Sequence, residues 1–376
     1  MDKTDSCVDH ILVVMGPVFQ DARTLNMART LGKQGGEVLV IGTGEQNQEI
    51  TWQKDITIKT IRIQDFSRMF QLWARFWREV KLVLKEVSAV NYWAMDLYSL
   101  PILYHNKKHD SKLLFDSREI YSALGMNVGK PIKQQLLTEI ERFYIKRADV
   151  VFTSGPIDSE IIASKYDLGQ LPVVRNLPPY RTVSKTNHLR EHFKIPLDKK
   201  IMLYQGMIHE GRGLEPFIEA LSYMDSWVLC VLGEGRLWNS LLGFAKELGV
   251  SSKIYQRSPV AYEELPEWTS SADAGLCYIE PLTLSLKMAL PNKLFEYAQA
   301  GLPIVASNLP QIEPIYKEYP FGVLLDWPAT QKEWIQALKQ IEKLIHTKEL
   351  QLTIKDLAHF FCWENQEANI SNLYTI

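Results

Sequence analysis

The 376-residue chain has little cysteine: Cys7, Cys230, Cys277 and Cys362 are scattered, with no CxxC spacing, which excludes a thiolate metal cluster. Cys230 and Cys277 lie inside apolar runs and read as buried, reduced thiols, in keeping with a reducing cytosol. Charge of one sign is also missing. A net charge of −2 offers no electrostatic footing to nucleic acid, so no nucleic-acid partner is expected. No apolar stretch approaches the roughly 20 residues of a membrane span. The N-terminus is polar up to His10 and the apolar run after it is short, which predicts no signal peptide and a cytoplasmic location. A GxGxxG fingerprint is absent too. Its nearest approximation, Gly42-Thr43-Gly44, follows the second predicted strand and lacks the third glycine, which disfavours a NAD enzyme. No repeat period of about 20 to 50 residues points to a solenoid.

What is present is a soluble, globular composition, 46% hydrophobic and 23% charged, long enough for two cores. Ile11 to Met15 reads as a buried strand, broken by Gly16-Pro17. A helical pattern from Arg23 to Lys33 and a strand from Val38 to Ile41 complete a strand–loop–helix–strand unit. The alternation continues through strands near Ala89 to Tyr92, Lys112 to Phe115 and Val150 to Thr153. Residues 1–180 are therefore expected to form one Rossmann-like domain, and the polar, proline-bearing stretch 181–198 a linker. The same grammar restarts at Lys200 and predicts a second Rossmann-like domain over 199–355, then a helical tail, 356–376, returning toward the first. The fold class is α/β, two doubly wound domains facing a cleft.

Phe66 to Val87 is the most amphipathic stretch. Phe66, Trp73, Phe76, Trp77, Val80 and Val83 share one helical face, with Arg68, Arg75, Arg78, Lys81 and Lys85 opposite. That pattern fits a helix packed on its own sheet. The sharper alternative is an interfacial helix holding the protein on the inner face of a membrane, Trp and Phe dipping into anionic lipid.

Three loops at strand ends in the second half carry chemistry. Gly206 and Gly211-Arg212-Gly213 let backbone approach a diphosphate, and Arg212 can clamp two phosphate oxygens. Gln256-Arg257-Ser258 follows another strand. The third runs from Glu280-Pro281 into the helix opened by Pro291-Asn292, where Lys293 and Glu296 stand one turn apart near the N-terminus. A cation, a carboxylate and a helix N-terminus suit a ligand with phosphates and hydroxyls, such as a nucleotide sugar.

The run Tyr204 to Leu221, the turn Leu232-Gly233-Glu234-Gly235, and Leu290-Pro291-Asn292-Lys293-Leu294-Phe295-Glu296-Tyr297 followed by Gly301-Leu302-Pro303-Ile304-Val305-Ala306 together resemble the retaining glycosyltransferases of family 4, glycosyl transferases group 1, of GT-B fold. Pro17 to Arg23, Asp116 to Glu119 and Arg175-Asn176-Leu177-Pro178 extend the resemblance into the first half. It implies that Arg212 and Lys293, with Gly206, Gly213, Asn292 and Leu294, hold the donor diphosphate. Glu296 would grip the ribose, and Gln256, Arg257 and Ser258 would edge the base. Gly16, Pro17, Asp21 and Arg23 would form the facing loop of the first, acceptor-side domain.

Two positions depart from the family pattern. Eight residues before Glu296 stands Met288 instead of a glutamate, so Glu280 becomes the substitute catalytic carboxylate. Arg118 occupies the place of a histidine in Asp116-Ser117-Arg118-Glu119, putting a fixed cation where the family has a neutral donor–acceptor. The resemblance implies transfer with retention from a UDP- or GDP-linked sugar to a glycan or lipid-linked acceptor. No cofactor is permanently bound and no metal is needed, since no DxD-type pair stands at a strand end. The competing readings are a catalytically weak paralogue acting as a binding or scaffold partner, and a GT-B nucleotide-sugar epimerase.

Overall fold

A computed structural model describes residues 6–63, 69–121 and 131–375. The chain forms two α/β units, one made of residues up to Asn176 together with those from Trp363, the other running from Leu177 to Cys362.

The first unit carries β1 (Ser6–Pro17), β2 (Val38–Gly44), β3 (Gln48–Gln53), β4 (Ile56–Arg62), β5 (Val87–Ala94), β6 (Lys112–Ser117) and β7 (Val150–Thr153). They lie in the order β3-β4-β2-β1-β5-β6-β7, all parallel except β3, which runs antiparallel to β4. The chain leaves β1 for β2 on one side and later returns to its other side with β5. That makes the carboxyl end of β1 the switch point, where open sheets of this kind bind ligands. Near-continuous apolar runs such as Ile11-Leu12-Val13 are fully buried because both faces of a parallel sheet are covered. Gly16-Pro17 does not end the strand as expected. After a register irregularity Pro17 still pairs with Thr43. The β3–β4 hairpin lies outside the elements read from the sequence: Gln48–Gln53 is a short edge strand with only Ile50 and Trp52 apolar.

The helix expected over Phe66 to Val87 spans Met69–Leu84. Residues 64–68, Phe66 and Arg68 among them, lie outside the described part, and Val87 begins β5. Trp73, Phe76, Val80 and Val83 are buried in the core of the first unit. Trp77 is half-buried and donates its indole N–H to the Tyr98 carbonyl at 2.7 Å. Trp73 therefore packs inward and Trp77 partly so, as in a helix packed on its own sheet. Among the described residues no helix is long and apolar enough to cross a membrane.

The chain's end belongs to the first unit through specific bonds. Trp363 donates its indole N–H to Thr30 Oγ1 at 2.8 Å, and Lys33 pairs with Glu367 at 2.8 Å. The Tyr374 hydroxyl donates to Gln34 at 2.7 Å. Ile370 and Leu373 complete the core between the sheet and the helix Ala22–Lys33.

The second unit carries β8 (Lys200–Gln205), β9 (Trp227–Leu232), β10 (Ile254–Arg257), β11 (Ala274–Cys277), β12 (Ile304–Ser307) and β13 (Gly322–Leu325). They form a wholly parallel sheet ordered β10-β9-β8-β11-β12-β13, with the switch point between β8 and β11. The stretch 181–198, read as a linker, packs on this unit and contains the helix His188–Phe193. Arg190 pairs with Asp273 at 2.8 Å, and the Thr186 hydroxyl donates to the Glu267 carbonyl at 2.6 Å. The polar composition that marks a linker here supplies side chains that dock the segment. Cys230 and Cys277 are buried free thiols, as expected, and burial pushes Cys277 up to about 11.

Candidate donor-binding site

The loops after β8 and β9 run against each other backbone to backbone. Gly206 N–H donates to Leu232 O at 3.0 Å and Ile208 N–H to Glu234 O at 2.9 Å, so the ladder continues beyond the strands. A Cβ on Gly233 would stand 1.9 Å from the Gly206 carbonyl oxygen, and one on Gly235 2.0 Å from that of Ile208. These glycines exist for this approach. Gly213 precedes the helix Leu214–Leu221 at φ 66°, where a Cβ would also meet the Tyr278 ring at 2.5 Å.

The helix Asn292–Gln299 is anchored on the end of β8 by Tyr297. Its buried hydroxyl donates to Leu203 O at 2.9 Å and accepts from Gln205 N–H at 3.2 Å. Gly275 makes room, since a Cβ there would overlap the Tyr297 ring at 2.3 Å. Lys293 and Glu296, on the same helix, are thereby fixed over Gly206. The Lys293 ammonium lies 3.8 Å from the centroid of the Tyr204 ring and 4.0 Å from where a Gly206 Cβ would be. No side chain caps this helix; Leu294 N–H donates to Pro291 O at 3.1 Å, and the amides of Asn292 and Lys293 before it are the ones left for an anion.

Arg212 reaches the same place from the Gly211–Gly213 turn. Its guanidinium donates to His209 Nε2 at 3.2 Å, while His209 Nδ1 donates to the Glu210 carbonyl at 3.0 Å. That tautomer is neutral, and burial followed by the Arg212 charge lowers the His209 pKa. Burial, reinforced by Arg212, brings the Lys293 pKa down to about 8, against opposing contributions from Cys277 and Glu296. Among the described residues no carboxylate lies within ion-pairing distance of Arg212 or Lys293. Two cations that repel each other, aimed past glycines at open backbone amides, have the chemistry of a site for a doubly charged phosphate group.

Glu296 accepts from the Gln205 amide at 2.5 Å, and Gln205 Oε1 in turn accepts from the Thr269 hydroxyl at 2.9 Å. Burial raises the Glu296 pKa, against the Gln205 hydrogen bond and the Lys293 charge. The second carboxylate oxygen is left for a hydroxyl donor such as a ribose.

The other expected residues are distributed unevenly. Glu280 sits against the Arg212 turn: its N–H donates to Gly211 O at 3.0 Å, and its carboxylate faces the Gly213 N–H. Burial and then Glu215 raise its pKa, while the Gly213 N–H lowers it. The Gln256 amide donates to the Gly233 carbonyl at 2.8 Å, buttressing the glycine turn. Arg257 stacks its guanidinium 4.2 Å over Trp268 and Ser258 is exposed. Asn292 opens the Lys293 helix without capping it, contrary to the capping role that its type predicts. Leu294 is fully buried in the core and its N–H donates to Pro291 O at 3.1 Å, so it offers no free donor to a ligand.

In the first unit, Asp21 caps the helix Ala22–Lys33 by accepting from Thr24 N–H at 2.9 Å. Arg23, expected in a ligand-facing loop, is inside that helix and 1% exposed. It makes a two-point pair with Asp116 at 2.6 and 2.9 Å and donates to Val174 O at 2.7 Å. Arg118 pairs with Asp21 at 2.6 Å and approaches Asp116 at 3.4 Å. The fixed cation read from the sequence is thus paired with carboxylates: burial alone would lower the Arg118 pKa, and Asp21 and Asp116 raise it well above the ordinary value. Gly16 and Pro17 border a cavity of about 690 Å³ at the carboxyl ends of β1 and β2.

Reading the sequence alone misses Tyr204, Gln205, His209 and Thr269. Gln205 left a signal, being the one amide in the otherwise apolar run Ile201–Gln205 immediately before Gly206. Thr269 left none, because only folding brings it to Gln205.

Residues 185–358 match the model of a family described as glycosyl transferases group 1. A D-inositol 3-phosphate glycosyltransferase of Xylanimonas cellulosilytica is 27% identical over 143 residues, 37% of this chain and 33% of that protein. The aligned part thus spans about a third of that relative. Among solved structures, the sucrose-phosphate synthase of Thermosynechococcus elongatus superposes with a TM-score of 0.80 at 14% identity, covering 98% of both chains. HepE of Anabaena, solved with UDP and glucose, gives 0.74 at 12% identity over 98% of this chain and 99% of its own. A glycosyltransferase of Rickettsia africae gives 0.70 at 12%, over 99% and 98%. At such identities the likeness concerns the fold, which is GT-B.

Proposed function

We propose that this chain, GT-B in fold and matching glycosyl transferases group 1 across its second unit, is a glycosyltransferase moving a sugar from a UDP- or GDP-linked donor to a glycan or lipid-linked acceptor. One observation carries the reading: Lys293 lies beside Gly206 and within the field of Arg212, neither cation having a carboxylate partner among the described residues, next to the partly engaged carboxylate of Glu296. A nucleoside diphosphate answers both halves of that site, its phosphates to the cations and its ribose hydroxyls to Glu296.

The transfer is read as retaining. As the glycosidic bond lengthens, negative charge grows on the leaving diphosphate, and Arg212, Lys293 and the open amides of the Asn292 helix stabilise it in place. Because these donors are already held, by His209 for Arg212 and by Tyr204 for Lys293, little reorganisation accompanies the reaction. Glu280, beside the Arg212 turn, is the carboxylate assigned to the sugar side. HepE is solved with UDP-glucose, which makes that donor the first to try.

A thermal-shift panel of UDP- and GDP-sugars tests the reading, since a ligand that binds the native state raises its melting point by mass action. A shift with at least one donor, lost in Lys293→Ala, is expected. No shift with any nucleotide sugar at millimolar concentration would remove the proposal.

A further inference from the structure

A second cavity lies wholly within the second unit, at the far end of the helix Asn292–Gln299 from Lys293. It measures about 630 Å³, within the roughly 300–1,000 Å³ of small-ligand sites. Three stretches of chain build it: residues 180–183, the end of the helix Asn292–Gln299 with Gly301, and one face of the helix Lys348–Phe360 together with His346. Neither Arg212 nor Lys293 lines it.

The spacing along Lys348–Phe360 sets its chemistry. Lys348, Leu352 and Lys355 recur at i, i+4 and i+7, one face of a helix, which brings two ammonium groups and a leucine 60% exposed to the cavity. Glu349 and Asp356 each follow a lysine by one residue and are carried round to another face. Arg181 and His346 bring the basic groups to four, and no aspartate or glutamate lines the cavity. In a chain with 44 acidic residues against 42 lysines and arginines, that separation is local, not compositional. Among the described residues His346, Lys348 and Lys355 form no ion pair, and the Arg181 guanidinium donates to the Glu263 carbonyl at 3.3 Å.

The walls are tied together by Gln299. Its amide donates to Ala358 O at 2.7 Å and its carbonyl accepts from Arg181 N–H at 3.1 Å, which joins all three stretches. Ala298, Ile354 and Ala358, all buried, supply an apolar part of the lining. A phosphate ester answers both parts. Its oxygens accept from cationic donors, and at neutral pH its charge of roughly −1.5 to −2 is met by three fixed cations. Its organic body covers the apolar residues.

We infer that this cavity is a second anion site, distinct from the donor grip and independent of the transferase reading. It takes a soluble phosphate monoester, the phosphate on Arg181, Lys348 and Lys355 and the organic part on Leu352 and Ile354.

The probes are phenyl phosphate, inorganic phosphate and phenol, titrated by calorimetry and phosphorus NMR into the full chain at about 0.15 M salt. The same titrations are run on Arg212→Ala/Lys293→Ala, which removes the cations of the donor site. Phenyl phosphate should bind the unaltered chain and that variant alike, about tenfold tighter than inorganic phosphate because its ring covers apolar surface, and phenol should not bind. Lys348→Glu/Lys355→Glu, at two exposed positions, should abolish this binding at an unchanged melting temperature. Leu352→Ser should remove most of the advantage of phenyl phosphate over inorganic phosphate. Phosphate binding lost in Arg212→Ala/Lys293→Ala would leave the donor site as the anion site and overturn the inference. Binding untouched by Lys348→Glu/Lys355→Glu overturns it too, as does binding seen only well below 0.15 M salt, the behaviour of diffuse surface charge. Phenyl phosphate binding without any nucleotide-sugar shift would instead sink the transferase reading and leave this site standing.

Discussion

Each unit of this protein gathers two basic side chains near the carboxyl ends of its central strands, and the two pairs have opposite fates. In the first unit Arg23 and Arg118 alternate with Asp21 and Asp116, every charge facing an opposite one within 3.4 Å. In the second, among the described residues, Arg212 and Lys293 form no ion pair: Arg212 meets His209, Lys293 an aromatic ring, and Glu296 acts on Lys293 only through its field. Compensated cations hold a helix start to a strand end and are part of the scaffold. Uncompensated cations cost stability until an anion arrives, which is the mark of a binding site. The comparison turns two superficially alike arginine positions, 118 and 212, into different roles.

The comparison breaks first if the scaffold charges prove dispensable. Asp116→Ala leaves Arg23 buried without its partner and should cost about 3–5 kcal/mol, read as a fall in the urea midpoint at unchanged m-value. A loss below about 1 kcal/mol would mean that Arg23 is not tied to the fold in this way.

The mirror experiment is Lys293→Ala or Arg212→Ala. Each should reduce transfer by on the order of 10²–10³ with little loss of stability, since each removes a cation that has no carboxylate partner. Unfolding of comparable size to Asp116→Ala would erase the distinction between the two pairs.

A finer difference is in pH. Lys293, brought down to about 8 by burial, is protonated in the empty site at pH 7 and neutral at pH 9. A diphosphate, fully ionised over that range, favours the charged form, so its affinity should fall as pH rises through 8, approaching tenfold per unit. Lys293→Arg should flatten the profile. The stability of the empty protein runs the other way. With its folded pKa below the unfolded value of 10.5, the unfolded state binds more protons between about 8 and 10.5, so this residue's cost is present below 8 and relieved as pH climbs through that window.

The smallest effect is expected at Arg118. Arg118→Gln keeps a donor for Asp21 and loses a charged hydrogen bond, worth about 1.5–3 kcal/mol of stability. If transfer fell far more than stability, Arg118 would belong with the reactive groups and the contrast would need redrawing.

Much of the architecture was legible in the chain. Buried runs such as Ile11–Val13 and Trp227–Leu232 announce parallel strands, and the glycines after them announce loops at the ligand-binding edge. Lys293 and Glu296 could be placed on one helix face from spacing alone. The β3–β4 hairpin went unread although Ile50 and Trp52 in one strand and Ile56 and Ile58 in the other alternate with polar residues, because so short a pattern on an edge strand is weak. The amphipathic stripe around Trp73 could not be assigned either, since a core-facing and a lipid-facing helix share one periodicity.

Local order thus decided the element types, the doubly wound grammar and the residue kinds at the strand ends, because periodicity, capping and glycine freedom act within a few residues. Which charges are paired was decided only in three dimensions. Arg23 and Asp116 are 93 positions apart, and Gln205 is 91 from Glu296. Whether a cation is scaffold or site depends on the field of distant carboxylates, and no spacing along the chain records that distance.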